Sequence, residues 1–95
     1  MITKTYFKTK DHCKVKFTFT ETAETVAVLG LNNDWENSIT LNKKKDGTFS
    51  CDVNLPKESQ HEFRYLVNGA EWTNEPAADA EVANVYGSTN SIIKL

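Results

Sequence analysis

The chain has 95 residues, of which 39% are hydrophobic, 25% charged and 11% aromatic, and it carries a net charge of −2. That length suits a single domain spanning residues 1–95 with a real core, and the apolar content excludes a disordered chain. The acidic balance gives no pull toward nucleic acid or an anionic membrane, and no run of about 18 apolar residues is present to span a bilayer.

Period-two alternation dominates, and no stretch shows a convincing helical period. A first strand is expected from Thr3 to Lys8, with Asp11 and His12 in the turn after it. Val15, Phe17 and Phe19 then alternate with Lys14, Lys16, Thr18 and Thr20, as in a strand with one wet face. The short apolar run Val26 to Leu29, closed by Gly30, reads as a more deeply buried strand. Lys45-Asp46-Gly47 is a hairpin turn, because Asp-Gly tolerates the positive φ that tight turns demand.

Alternation returns at Phe49, Cys51, Val53 and Leu55, and again at Phe63, Tyr65 and Val67. Asn68-Gly69 marks a second hairpin before Glu71-Trp72-Thr73. The polar segment Asn74 to Asn90 lacks alternation and is expected to be a long loop. Ile92, Ile93 and Leu95 close the chain as a last strand. Short strands at this spacing predict an all-β antiparallel sandwich. Its core is expected to comprise Phe17, Phe19, Val28, Phe49, Val53, Phe63 and Tyr65.

The first eight residues lack the apolar stretch and small-residue cleavage site of a secretory signal, so the expected location is the cytoplasm and Cys13 and Cys51 are expected to be free thiols. The order Cys13, Trp35, Cys51 invites comparison with an immunoglobulin disulfide, but the cysteines lie only 38 residues apart. His12 and His61 are the only histidines, and neither has a partner at metal-ligand spacing; no metal or other cofactor is expected. No motif supplies an activated nucleophile with its base. Asp34, Glu36, Glu71, Glu75, Asp79 and Glu81 could by number furnish the acid pair of a glycosidase, but a small sandwich offers little cleft. Catalysis is therefore not expected.

The triplet Lys43-Lys44-Lys45, with Tyr65, Trp35 and Trp72 elsewhere for stacking, loosely suits a single-strand binder, yet it abuts a turn where a solvated charge run is the simpler account. Two tryptophans remain among Asn, Asp, Glu and Gly. A buried edge and an exposed platform both fit each of them. A platform would suit sugar rings, whose apolar C–H faces stack on aromatic planes while their hydroxyls seek polar neighbours. Arg64, Asn68, Thr89 and Asn90 are of the right polar types.

Four blocks, in order, resemble the carbohydrate-binding modules of family 48: VAVLGLNNDW (Val26 to Trp35), KKKDGTFSCDVNL (Lys43 to Leu55), HEFRYLVNGAEWTNEPAAD (His61 to Asp79) and NVYGSTNSIIKL (Asn84 to Leu95). The likeness is strongest to free-standing isoamylase early-set domains and runs from about Cys13 to Leu95. It implies an immunoglobulin-like early-set sandwich that binds α-1,4-linked glucans without catalysis. By the same resemblance Trp35 and Trp72 match sugar-stacking residues, Arg64 stands for a hydroxyl-bonding lysine, Asn90 for a hydroxyl-bonding asparagine and Ser88 for a threonine beside it. Tyr86 replaces a leucine that enters the bend of the glucan. Asn32 departs from the aromatic the family carries two residues after the motif glycine. The resemblance also leaves a second outcome, a docking domain on a glycoside hydrolase or another partner without sugar affinity.

Overall fold

The computed structural model describes residues 1–95. Nine strands are present: β1 (Ile2–Tyr6), β2 (His12–Phe19), β3 (Val26–Leu29), β4 (Ile39–Lys43), β5 (Phe49–Pro56), β6 (Gln60–Val67), β7 (Glu71–Thr73), β8 (Ala80–Ala83) and β9 (Thr89–Lys94). The only helical element is a single 3₁₀ turn, Leu31–Asn33. The strands pair in the order β1-β2-β5-β4-β3-β6-β9-β8, all antiparallel, with β7 beside the C-terminal half of β6.

This sheet curls into an early-set sandwich. The corner is β4, which pairs β3 through Ile39 to Leu41 and then β5 through Asn42 and Lys43; a strand that changes partners in this way turns one layer into the next. Across the interior, Phe17 and Phe19 of β2 meet Phe63 and Tyr65 of β6 edge to face, with ring centroids 5.2 and 5.6 Å apart. The positive edge of one ring against the negative face of the other is the favoured aromatic geometry. Around these rings lie Cys13, Val15, Val26, Val28, Leu31, Leu41, Phe49, Leu55, Val67 and Ile93, all buried.

Several expectations are corrected. Val53 is only half-buried, packed against the edge of the core cluster instead of within it. The first strand ends at Tyr6 rather than Lys8, and His12 opens β2 instead of sitting in the turn. The Asn74–Asn90 segment is not a continuous loop: it contains β8, and β9 starts at Thr89. β8 has little side-chain burial, so period-two alternation cannot reveal it; main-chain pairing with β9 holds it. β4 escaped for the same reason, with Leu41 its one buried side chain. Lys43 lies in that strand, while Lys44 enters the turn and bonds Thr48 through its backbone N–H.

Tyr65 is core and not a stacking surface. Its hydroxyl donates to the buried Glu75 carboxylate at 3.0 Å, and burial together with Glu75 drives its pKa upward. Glu75 also accepts from the Ala77 N–H and from the amino group of Met1, so this acid is a structural anchor. The Asn68-Gly69 turn has φ of 54° and 67°, the paired left-handed conformation of a tight hairpin.

Both cysteines are free. Cys13 is fully buried, and burial with the neighbouring Asp52 charge pushes the Cys51 thiol up to about 11. At pH 8 only about one part in a thousand of Cys51 is then the reactive thiolate. The native protein is expected to take up almost no iodoacetamide in minutes, and the unfolded protein two labels without reductant. A mass spectrum showing no label after unfolding would overturn this.

Candidate functional site

Alternation on β6 sends Phe63, Tyr65 and Val67 inward, so Glu62, Arg64 and Leu66 face outward. In register, Leu66 stands opposite Trp72 of β7, which puts the indole on the same outer surface. Asn90 of β9 reaches that surface beside Glu62 and donates its amide to the Glu62 carboxylate at 3.1 Å. A loop between β3 and β4 brings in Trp35, and the β8–β9 hairpin supplies Ala83 to Tyr86. Together they frame a groove of about 960 Å³, lined by Trp35, Glu62, Arg64, Trp72, Tyr86 and Asn90 among others.

The Trp35 loop is tightly specified. Leu31 is buried and takes the anchoring role, and Asn32 donates its backbone N–H to His61 Nδ1 at 3.2 Å. Asp34 Oδ1 accepts the N–H groups of Asn37 and Glu36, and these bonds, led by Asn37, hold its carboxyl below the usual range. Gly30 has φ of 104°, and a Cβ there would lie 2.6 Å from the Trp35 ring and 2.5 Å from the Glu62 carbonyl oxygen. Only a residue with no side chain lets the indole lie against the backbone at this point.

Trp35 remains 36% exposed and Trp72 45%. Their centroids are 6.4 Å apart and their planes meet at 58°, so the pair is angled rather than coplanar. The reason is their origin: Trp72 is fixed by a strand register, Trp35 by a loop that folds onto Gly30. The Arg64 guanidinium lies 5.6 Å from the Trp72 ring centre, within cation–π range. Arg64 Nε is shielded from solvent and has no protein partner.

Four of the six sequence-selected residues, Trp35, Arg64, Trp72 and Asn90, converge on the groove floor and walls. Tyr86 lines it from the hairpin tip at 89% exposure. Ser88 does not line it; its backbone N–H bonds Asn84 Oδ1 at 3.1 Å and shapes the hairpin instead. Asn68 and Thr89 are likewise elsewhere: Asn68 Oδ1 accepts from the Glu24 and Thr25 backbones, and Thr89 accepts from Asn74. Glu62, Asn84 and Val85 line the groove and were missed. Period two could have exposed Glu62, which sits two residues before Arg64, whereas nothing in the polar run marks Asn84.

His61 ties the Trp35 loop to β6. Its Nδ1 accepts from Asn32, so the neutral ring carries hydrogen on Nε2, which meets Ser59 Oγ at 2.8 Å. Burial lowers its pKa below the ordinary 6.5. The unfolded chain therefore takes up this proton first, and the stability His61 contributes above pH 6.5 falls away as pH drops below it. The urea midpoint is expected to decline between pH 7.5 and 5.5 more in the wild-type protein than in His61→Gln; equal declines would count against this.

No curated protein matches the chain. A family model for the glycogen recognition site of AMP-activated protein kinase matches residues 13–95. That span contains β3 to β9, all of β2 but its first residue, His12, and all of the groove, and on this match the chain belongs to the family of the glycogen recognition site of AMP-activated protein kinase.

Proposed function

We propose that the protein is a non-catalytic module that binds α-1,4-linked glucans, such as glycogen, starch-like chains and maltooligosaccharides, with Trp35 and Trp72 as stacking faces. The observation that carries this is the angled, half-exposed indole pair inside one groove with Arg64 and Asn90 at its side. Two planes at 58° suit consecutive rings of a chain that curves, as α-1,4 linkages make it do, and suit a flat β-1,4 chain poorly. Membership in a glycogen-recognition family points the same way.

In this reading each indole covers the C–H face of one glucose. Arg64 and Asn90 bond hydroxyls. Tyr86 leans over the chain from the hairpin tip. Each neutral hydrogen bond adds about 0.5–1.5 kcal/mol net, and the charged donor somewhat more. An open groove returns part of this to ligand ordering and incomplete desolvation. Affinity for short oligosaccharides is then weak, with Kd on the order of 0.1–1 mM, or about −5.5 to −4 kcal/mol.

The test is a titration with maltoheptaose to several times that Kd (roughly 5 mM), followed by tryptophan emission and amide shifts. Binding should move both, with shifts clustered at residues 35, 64, 72 and 84–90. Silence in both signals would remove the sugar-binding proposal and leave a protein-docking role.

A further inference from the structure

We propose that Glu62 is a direct hydroxyl-binding residue of the groove, its carboxylate held ready by a directed chain of hydrogen bonds from Asn84 through Asn90. This deepens the glucan-binding reading and rests on it.

The chain has one direction. Asn84 donates its side-chain amide to Asn90 Oδ1 at 3.1 Å, and Asn90 donates its own amide to Glu62 Oε1 at 3.1 Å. Asn90 is 9% exposed, so its amide has little solvent to satisfy an alternative orientation. With its oxygen facing Asn84 and its nitrogen facing Glu62, turning the amide over would set two donors and two acceptors against each other. Asn84 is itself fixed, because its Oδ1 accepts the backbone N–H groups of Tyr86 and Ser88 at 3.0 and 3.1 Å.

The chain ends on a carboxylate that the protein leaves largely uncommitted. Glu62 is exposed and lines the groove, and Asn90 is the one donor its side chain meets. Arg64 lies two residues away on the same face, yet the two do not pair: its guanidinium is stacked toward Trp72. A cation rich in donors and an anion that only accepts thus face the same groove separately. A glucose hydroxyl both donates and accepts, so a ring carrying vicinal hydroxyls can satisfy both at once. Glu62 also borders a second niche of about 290 Å³, lined by Gly30, Asn32, Asn33, Gln60 and His61 and by no hydrophobic residue, so water can reach the carboxylate from that side. Bonds to an ionised acceptor are shorter and stronger than neutral ones.

The experiment compares wild-type protein, Glu62→Gln and Asn84→Asp in maltoheptaose titrations read by backbone and side-chain amide resonances. Glu62→Gln keeps the size of the side chain and an acceptor for Asn90 but removes the charge. It should weaken binding about tenfold, near the effect of losing one charge-assisted bond, with an unchanged urea midpoint. Asn84→Asp keeps the acceptor for Tyr86 and Ser88 and removes the donor to Asn90. It should move the Asn90 side-chain amide signals in the free protein and weaken binding several-fold (roughly 3- to 10-fold). If Glu62→Gln binds within a factor of about two of wild type, Glu62 is no contact and the proposal falls while the tryptophan reading stands. Unmoved Asn90 signals in Asn84→Asp would overturn the positioning chain. A wild-type protein without affinity for the sugar would overturn both this inference and the function on which it rests.

Discussion

Trp72→Ala is expected to abolish detectable maltoheptaose binding while leaving the fold intact. The indole belongs to a three-residue strand paired only with β6, stands 45% exposed and is absent from the buried cluster between the layers. Its loss should cost little stability, within about 1 kcal/mol, since surface changes away from the core rarely cost more. For the ligand the loss is large. One face of a glucose loses its apolar cover, and Arg64 loses the ring it lies over. Burial of that face and the stacking geometry together are worth about 1.5–3 kcal/mol, a factor of roughly 10–150 in Kd. From a starting Kd of about 0.1–1 mM, binding moves to the edge of what a titration detects or past it. Trp35 stays in the variant as a fluorescent reporter, so silence is interpretable. Wild-type affinity in Trp72→Ala would end the proposal that this ring is a platform.

Phe63→Ala acts in the opposite way, on the fold and not on the surface. Phe63 has no exposed surface, meets Phe17 at 5.2 Å across the layers and lies 5.9 Å from Tyr65 along its own strand. Removing it deletes the central edge-to-face contact and leaves a cavity that neighbouring rings in fixed strands cannot close. The expected cost is about 3–5 kcal/mol, a large share of the roughly 5–15 kcal/mol that holds a domain together. The urea midpoint should fall sharply, and a midpoint equal to wild type would show that Phe63 lies outside the core. If the alanine variant fails to fold, Phe63→Leu, which keeps most of the volume, should fold with a smaller but measurable loss.

Much of this architecture is legible because burial in a sandwich is periodic. Phe17, Phe19, Phe49, Phe63 and Tyr65 recur at every second position and point to one interior, and Asn68-Gly69 names the hairpin that carries Trp72. Alternation is silent wherever a strand gains its place from the backbone alone. β8 pairs β9 with almost no buried side chain, and β4 buries only Leu41 while joining both layers.

The residues of the proposed glucan site were likewise visible in the chain: two tryptophans in polar company, Arg64 and Asn90. Residue order alone determined the sandwich class, the Asp46-Gly47 and Asn68-Gly69 hairpin turns and the inner and outer faces of β6, since those follow from side-chain period and φ preferences within a few residues. Only the tertiary structure decided the rest. It brought Trp35 within 6.4 Å of Trp72, set their planes at 58°, sent Ser88 out of the groove and placed Glu62 and Asn84 around Asn90. Those outcomes depend on pairings between β6, β7 and β9 and on the Trp35 loop packing against Gly30. Contacts of that range are set by which surfaces meet once the sheet has curled, and the local pattern that selects strands carries no record of them.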